Sequence, residues 1–295
     1  MKVLITEAYN LAADSLLRLL KSETNFDIYL LSHKVKEIYH KGRINLYPVN
    51  IMDFKSIKKI IYGIKPDVII NTLDYGNIHS SDKKKIWNYN VIAAENYFSI
   101  CRVLDCHLIS ISNEFVFDGV KGPYIEQDKP GAVYYYGTSK HAMENACLTN
   151  VNKCTLVRAS MLYGYNSYGY TCFSSELIAT LQSKNNLEIK EDYLTNPCFA
   201  DEFAYAIIKI IEKKRLGIYH VAGSEYLRLS DFAVKIALSF KLDDGFIKTK
   251  KPENYKKFGL VNYKAETDLG IKFSNIENSL MAMQHYIYGD KILPL

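Results

Sequence analysis

The sequence lacks long hydrophobic runs. None of its apolar segments reaches the roughly 18 residues that a membrane-spanning helix needs. Its first residues, MKVLITEAYN, contain neither an apolar signal core nor a small-residue cleavage site, so we predict no secretory signal. Internal repeats and low-complexity linkers are also missing. These absences exclude membrane and repeat proteins and predict a cytoplasmic location without a membrane partner.

Cysteine patterns typical of metal binding are missing as well. The six cysteines form no C-x-x-C pair and have no histidines at zinc-finger spacing. We therefore predict no metal site. We also expect reduced thiols without structural disulfides, as is usual in the cytoplasm.

The chain lacks a strong excess of charge. Its formal net charge is +5 over 295 residues. The densest basic stretch, residues 248–257, contains Pro252 and Glu253 and reads as a solvated loop. A nucleic-acid patch there is the open alternative, but no binding motif accompanies the charge, so we predict no nucleic-acid partner.

Short apolar runs alternate with helical patterns along the first half of the chain. Hydrophobic residues make up 48% of the sequence, enough for a sizeable core. This alternation predicts an α/β fold, a Rossmann-type doubly wound parallel sheet with its ligand cleft at the carboxyl ends of the strands. The predicted strands are Met1–Thr6, Phe26–Leu31, Val68–Asn71, His107–Ser112, Thr155–Arg158 and Gly217–Val221.

The pattern loosens after Arg158, which suggests a second unit. We predict a dinucleotide-binding-type domain over residues 1–160 and a smaller substrate lobe over 161–295. Segments at about 197–225 are expected to return to the first domain.

Tyr136 and Lys140 form a Tyr-x-x-x-Lys pair at the start of a predicted helix. Residues four apart leave the same helix face. An ammonium group lowers the pKa of a neighbouring phenol, which can then exchange a proton with a carbonyl or alcohol oxygen. The same lysine is suited to bind a nicotinamide ribose. The alternative is coincidence, because the chain has 24 tyrosines.

Three ordered segments surround this pair: ISNEFVFDG at 111–119, PYIEQDKP at 123–130 and YGTSK at 136–140. They resemble the extended short-chain dehydrogenase/reductases, within them the dTDP-4-dehydrorhamnose reductase (RmlD-like) family, which reads ISTDYVFDG, PYxExDxP and YGxSK. The similarity continues in KPDVIIN at 65–71 and GIYH at 217–220. It covers nearly the whole chain, in order.

The resemblance implies a role for each matching position. Tyr136 would donate the proton to a C4 keto group, and Lys140 would bind the cofactor ribose, with Asn113 as the third catalytic position. Substrate positions would be Glu126, Arg158 and Cys172. Cofactor positions would be Thr6, Asn10, Leu11, Lys34, Asn71, Asn90 and Lys140, with Asn90 supporting the lysine.

Asn113 departs from the family pattern, which has Ser or Thr as the catalytic partner of the tyrosine. An asparagine amide still donates a hydrogen bond to a carbonyl oxygen. Ser112 is adjacent, but strand alternation predicts that its side chain lies on the other face.

The cofactor loop, residues 6–13, has no glycine. The family expects G-x-x-G-x-x-G, where glycines permit a tight turn and close approach to the pyrophosphate; here the positions are Glu7, Asn10 and Ala13. Two like charges about 4 Å apart near a surface repel by roughly 4 kcal/mol. We hypothesise that Glu7 supplies an internal carboxylate at the helix N-terminus in place of phosphate; alternatively, it turns outward and a cofactor still binds.

No acidic residue closes the second predicted strand at Leu31-Ser32, where one would grip the ribose of NAD. His33 and Lys34 follow instead, and a basic residue suits a 2′-phosphate, so NADP is favoured over NAD if a cofactor binds. Lys34 as a solvated loop charge is the alternative. Leu73 and Asp74 add bulk and a further negative charge beside the expected cofactor.

Two functions follow from the resemblance and its departures. The first is reduction of a nucleotide-linked 4-keto-6-deoxy sugar by NAD(P)H, in deoxysugar or polysaccharide biosynthesis. The second is a catalytically degenerate nucleotide-sugar-binding or regulatory subunit, acting as a homodimer or with a protein partner. The regulatory β subunit of methionine adenosyltransferase resembles the same segments. An epimerase or dehydratase is a third, weaker reading.

Overall fold

The computed structural model of the protein describes residues 1–169, 171–250 and 252–289. The strands are β1 Lys2–Ile5, β2 Asp27–Ser32, β3 Tyr39–Lys41, β4 Ile44–Pro48, β5 Val68–Asn71, β6 His107–Asn113, β7 Cys154–Ala159, β8 Leu162–Tyr163, β9 Leu187–Ile189, β10 Tyr193–Thr195, β11 Cys198–Phe199, β12 Gly217–Val221, β13 Leu227–Arg228, β14 Ile247–Thr249 and β15 Lys256–Lys257. The α-helices are α1 Leu11–Glu23, α2 Phe54–Ile64, α3 Lys83–Trp87, α4 Ala94–Leu104, α5 Tyr135–Asn150, α6 Phe173–Gln182, α7 Ala200–Glu212, α8 Leu229–Ser239, α9 Tyr263–Leu269 and α10 Ile276–Tyr288. A π-helical turn, Asn88–Ala93, joins α3 to α4, and two 3-10 turns cover Glu114–Val116 and Asp244–Phe246.

Eight strands form the central sheet in the order β12-β7-β6-β5-β1-β2-β4-β3. All neighbours are parallel except β3 and β4, which form an antiparallel edge. The strand order reverses direction between β1 and β5, which places a crevice at the carboxyl ends of these two strands. The predicted doubly wound parallel sheet is therefore confirmed.

Helices cover both faces of this sheet because the central strands are apolar on both sides. Val3 and Ile5 of β1 pack in one core with α1, α7 and α9. Leu4 and Ile69 point to the opposite core, with α2, α4 and α5. Two-sided burial is why these strands read as uninterrupted apolar runs in the sequence.

The later segments form a smaller assembly over the carboxyl edge of the sheet. Its core lies between α6, α8 and α10, with Leu177, Phe232 and Leu280 at the contact. The segment from β11 to β12 returns to the main sheet: β12 pairs with β7, and α7 packs against α1. The domain division itself stays a prediction, and its second part includes residues 170, 251 and 290–295, outside the described residues.

Two cysteine pairs differ from the expectation of reduced thiols. Cys101 is paired with Cys106, and Cys147 with Cys154, as disulfides. In each pair a helix residue meets a residue at or just before the next strand, across Cα–Cα distances of 5.2 and 6.9 Å. The expectation of a chain without disulfides is wrong. The helix-to-strand turns bring together residues whose spacing matches no disulfide motif.

No helix in the described ranges is long and apolar enough to cross a bilayer. Within the same ranges, no group of three or more His, Cys, Asp or Glu side chains is arranged to hold a metal ion.

Candidate active site

A cavity of about 260 Å³ lies at the carboxyl ends of β1, β5, β6 and β7. A second cavity of about 440 Å³ adjoins it toward the end of β2. The residues that line both cavities are Asn10, Leu73, Asp74 and Asn77. The two cavities together form one cleft, which runs from the end of β2 to the first turn of α5.

Tyr136 and Lys140 face this cleft from one side of α5, at the predicted one-turn spacing. Both side chains are buried, with 7% and 2% of their surface exposed. Asn113, at the end of β6, donates a hydrogen bond from Nδ2 to the Tyr136 hydroxyl across 2.9 Å. The amide thus contacts the phenol directly, in the position where the family has Ser or Thr.

Gly137 permits this contact between α5 and the end of β6. A Cβ atom at this position would lie 1.9 Å from the backbone oxygen of Phe115, an impossible contact. The helix therefore approaches the 3-10 turn Glu114–Val116 closely only with glycine here. That approach places Asn113 beside Tyr136.

Asp74 joins the catalytic pair from the segment after β5. Its carboxylate accepts the Tyr136 hydroxyl at 2.9 and 3.0 Å and lies 3.6 Å from the Lys140 ammonium. Lys140 also donates to the backbone oxygen of Leu73 at 3.4 Å. An Asp74 side chain that is 43% exposed therefore bridges a buried phenol and a buried cation.

Asn90 braces the same region from the π-helical turn. Its amide pairs with both backbone groups of Tyr75, at 2.8 and 3.1 Å, and donates to Ser139 Oγ at 3.0 Å. Ser139 in turn donates to the backbone oxygen of Tyr136. Asn90 therefore acts on α5 through Ser139, and the predicted support of Lys140 is indirect.

The glycine-free loop makes its turn without glycine geometry. None of residues 6–13 has a positive φ angle. Asn10, at φ −81°, caps α1: its Oδ1 accepts from Ala13 N at 2.9 Å, and its Nδ2 donates to Thr72 O at 2.7 Å. Asn10 is therefore the N-cap of α1, and Leu11 beside it lines the cavity.

Glu7 does not lie at the N-terminus of α1. Its carboxylate lies 2.8 Å from His33 Nδ1 and 3.4 Å from the hydroxyl of Ser32, which donates to it. The hypothesis of an internal carboxylate that replaces phosphate is therefore wrong. Asn10 takes the capping position, and the negative charge is turned toward the end of β2.

Thr6 and Asn71 lie behind the cleft rather than in it. Thr6 Oγ1 donates to Asn71 Oδ1 at 3.2 Å, and Asn71 Nδ2 donates to Ser110 Oγ at 3.0 Å. All three side chains are buried and tie β1, β5 and β6 together. Their contact with a cofactor stays a prediction. Lys34 lines the second cavity, with Nζ 5.7 Å from the Tyr9 ring centroid.

Arg158 and Glu126, predicted to contact substrate, line neither cavity. The Arg158 guanidinium is buried and binds both carboxylate oxygens of Glu144 at 2.9 and 2.8 Å. Glu126 accepts a hydrogen bond from His220 N at 3.0 Å. Both charges have partners within the protein, and their contact with a substrate stays a prediction.

Cys172 lines the first cavity, and its thiol forms no disulfide; its contact with a substrate stays a prediction. The cavity residues that sequence reasoning did not assign to the site include Ser112 and Glu114. Ser112 Oγ is buried and has no hydrogen-bond partner among the described residues. Ser112 lies inside β6, one residue before its end at Asn113, and the predicted opposite direction of its side chain stays a prediction.

Glu114 is a fully buried carboxylate at the end of β6. Burial raises its pKa from the ordinary 4.5 to about 7. Thr195 Oγ1 lies 2.8 and 2.7 Å from its two oxygens, and the backbone amides of Met161 and Gly259 donate to it at 3.2 and 2.7 Å. An acidic residue directly after an apolar strand was the available sequence signal.

The cleft meets the chemical requirements of a nicotinamide dinucleotide. The first turn of α1 faces it, and helix N-terminal amides bind phosphate oxygens. The Tyr136 hydroxyl and the Lys140 ammonium supply further polar groups. Because Glu7 is turned toward His33, its charge does not block the start of α1.

A doubly wound sheet with a buried Tyr–Lys pair in its crevice defines the class of short-chain dehydrogenase/reductase folds. Residues 1–275 match the family model described as the RmlD substrate binding domain, so the chain belongs to that family.

Curated relatives span most of the chain at low identity. The Bacillus subtilis spore coat polysaccharide biosynthesis protein SpsK is 24% identical over 280 residues, 92% of each chain. A dTDP-4-dehydrorhamnose reductase of Aggregatibacter actinomycetemcomitans is 26% identical, covering 80% of this chain and 78% of its own. The methionine adenosyltransferase 2 subunit beta of Xenopus laevis is 26% identical, covering 71% and 65%.

Solved structures share the fold. A dTDP-4-dehydrorhamnose reductase from Bacillus anthracis in complex with NADP aligns with a TM-score of 0.83 at 22% identity, covering 96% of this chain and 98% of its own. DesIV, a dTDP-glucose 4,6-dehydratase from Streptomyces venezuelae with NAD and TYD bound, aligns with a TM-score of 0.84 at 15% identity, covering 97% of each chain.

Proposed function

We propose that the protein reduces the C4 keto group of a nucleotide-linked 4-keto-6-deoxy sugar with a reduced nicotinamide cofactor. The observation that carries this proposal is the grouping at the cavity: the Tyr136 hydroxyl contacts the Asn113 amide at 2.9 Å, with Lys140 one turn away. A phenol held by a neutral donor and backed by an ammonium is suited to protonate a carbonyl oxygen. When bound, the reduced nicotinamide would supply the hydride.

Each side chain has a distinct part in this scheme. Tyr136 gives its proton to the oxygen of the keto group, and Asn113 orients the phenol. Lys140 balances the negative charge that this transfer leaves on the tyrosine oxygen and would hold the ribose of the cofactor. The first-turn amides of α1, at Leu11 and beyond, would face the pyrophosphate.

Asp74 has to leave Tyr136 before the proton reaches a substrate. Its carboxylate now accepts the phenolic proton. A substrate carbonyl takes the same hydrogen bond, so the two compete. The exposed Asp74 side chain can turn toward solvent when it is displaced.

The test uses the purified protein with NADH and NADPH, monitored by nicotinamide fluorescence. We expect one or both cofactors to bind, and we expect loss of nicotinamide absorbance when dTDP-4-keto-6-deoxy sugar is added. Absence of binding at millimolar cofactor would overturn the proposal. Binding of cofactor without oxidation by this sugar would move the proposal to another carbonyl substrate.

One observation favours a second function, that of a nucleotide-sugar-binding or regulatory subunit without turnover. The Asp74 carboxylate accepts the Tyr136 hydroxyl and lies 3.6 Å from the Lys140 ammonium. These are the two groups that a reductase presents to its ligands. A relative named as a subunit of methionine adenosyltransferase supports this alternative. Calorimetry that detects binding of dTDP-sugar together with no binding of either nicotinamide would decide for it.

A further inference from the structure

A carboxylate from another segment, that of Glu7, lies at the carboxyl end of β2. In Rossmann folds an acidic residue about twenty residues after the glycine loop, at the end of the second strand, accepts the hydroxyls of the adenosine ribose. Here β2 ends at Ser32, which cannot fill that role as an anion. The Glu7 carboxylate lies beside this residue, 3.4 Å from its hydroxyl.

The position of Glu7 is held by backbone contacts on both sides. Ala8 N donates to Leu31 O at 3.1 Å, which ties the loop to β2. Glu7 N donates to Thr72 Oγ1 at 3.0 Å, and the same hydroxyl donates to Glu7 O at 2.9 Å. The side chain, 12% exposed, lines the 440 Å³ cavity. A rigid backbone therefore delivers the carboxylate to this end of the cleft.

We propose that Glu7 replaces in space the missing acid of β2, accepts the adenosine ribose hydroxyls and thereby selects NAD(H) over NADP(H). This inference rests on the proposed function, because it concerns the cofactor of the same site. A 2′-phosphate would place like charge against the Glu7 carboxylate, whereas two ribose hydroxyls would donate to it. This preference for NAD(H) is opposite to the preference for NADP(H) that Lys34 alone predicts.

The lysines in the same cavity do not distinguish the two cofactors, and His33, also in this cavity, pairs with the Glu7 carboxylate itself across 2.8 Å. Lys34 lies over the ring of Tyr9, and Lys85 lies over the ring of Tyr75 with Nζ 4.4 Å from its centroid. Both lysines face a cavity that would hold the adenosine half of the dinucleotide. NAD and NADP both carry a pyrophosphate, so a general attraction by these lysines serves either one.

The experiment measures dissociation constants of NADH and NADPH by fluorescence titration for the wild type, Glu7→Gln and Lys34→Ala. We expect the wild type to bind NADH at least about tenfold more tightly than NADPH, because like charges a few ångströms apart repel by more than that factor represents. Glu7→Gln keeps the size of the side chain and removes its charge, so the ratio should fall to about threefold or less. Lys34→Ala should weaken both cofactors equally.

Two results would overturn the inference while the proposed function stands: a wild type that binds NADPH as tightly as NADH, or an NADH preference that Glu7→Gln leaves unchanged. A Lys34→Ala variant that loses NADPH alone would assign the choice to Lys34 instead. If neither cofactor binds the wild type, the proposed function fails and the inference fails with it. The wild-type ratio needs no variant, so the first of these results does not depend on how Glu7→Gln folds.

Discussion

The hydroxyl of Tyr136 lies between two groups of opposite character, the Asn113 amide that donates to it and the Asp74 carboxylate that accepts from it. This arrangement fixes the direction of the phenolic proton. A bound carbonyl substrate would leave the hydrogen bond from Asn113 to Tyr136 in place. It would replace only Asp74, as the acceptor of the phenolic proton. The proposed proton transfer therefore depends on the Tyr136 hydroxyl, which the conservative substitution Tyr136→Phe removes.

We predict that Tyr136→Phe lowers turnover of a 4-keto nucleotide sugar by about 10²–10⁴-fold, the range for loss of a general acid. Cofactor affinity should stay unchanged, because Lys140 and the α1 terminus are intact. Steady-state kinetics and fluorescence titration measure the two effects. Tyr135→Phe, on the same helix and packed near Trp87, is the matched control and should behave as the wild type. Equal losses in both variants would contradict a catalytic Tyr136.

Arg158 is a structural residue in this structure, although the resemblance implied contact with substrate. We predict that Arg158→Met destabilises the protein by about 3–5 kcal/mol, because it leaves the buried Glu144 carboxylate unpaired. The double variant Arg158→Met/Glu144→Leu should recover most of that loss. Urea denaturation measures the free energy of unfolding. An Arg158→Met protein of normal stability with weakened sugar binding would restore the original prediction.

At the scale of elements, α5 reaches the cleft only because Gly137 lets it approach the turn after β6. We predict that Gly137→Ala costs about 1–3 kcal/mol through overpacking against Phe115. Gly63→Ala is the matched control, since α2 leaves open space there and alanine favours a helix by up to about 1 kcal/mol. Urea denaturation compares the two, and a Gly137→Ala protein as stable as Gly63→Ala would contradict the close approach.

The apolar runs predicted the central strands well because burial on both faces leaves an unbroken hydrophobic signal. β5 and β12 have the predicted bounds, and β1 and β6 differ by one or two residues. The edge strand β3 escaped prediction since two of its three residues, His40 and Lys41, are exposed and polar. Short strands of the smaller assembly, such as β8, depend on pairing with β11 rather than on their own two residues.

The site was predictable where it depends on local spacing and unpredictable where it depends on side-chain direction. Tyr136 and Lys140 share a helix face by their four-residue separation. The contact of Asp74 with Tyr136, 62 positions apart, requires the sheet to bring two loops together. The turn of Glu7 toward His33 likewise depends on the tertiary position of β2.

Across the whole molecule, Glu114 joins three distant segments at one buried carboxyl group: Met161 after β7, Thr195 in β10 and Gly259 after β15. The central sheet and the smaller assembly meet at this point. Because its pKa is raised to about 7 by burial, the folded protein keeps a proton that the unfolded chain releases.

We predict a pH dependence of stability from this group. The native state binds the extra proton between the unfolded value of 4.5 and the folded value of about 7, so the free energy of unfolding falls as pH rises through that window. The loss approaches about 3 kcal/mol. Glu114→Gln lacks the titration, and urea denaturation of both proteins across the window measures the difference. Parallel profiles of the two proteins would rule the effect out.

The loop at residues 6–13 enters α1 without the glycines by which nucleotide-binding loops are normally detected. It turns with ordinary backbone angles and closes the start of α1 with the Asn10 side chain. Searches that identify nucleotide-binding loops by glycine spacing would pass over this chain, and over any other that evolved the same cap. No residue of this loop has a positive φ angle, so the turn does not require glycine. Glycines at these positions would raise the conformational entropy of the unfolded chain and lower the free energy of unfolding by about 1 kcal/mol or less per position. The Asn10 side chain and ordinary backbone angles thus do here what glycine conformations do in the family motif.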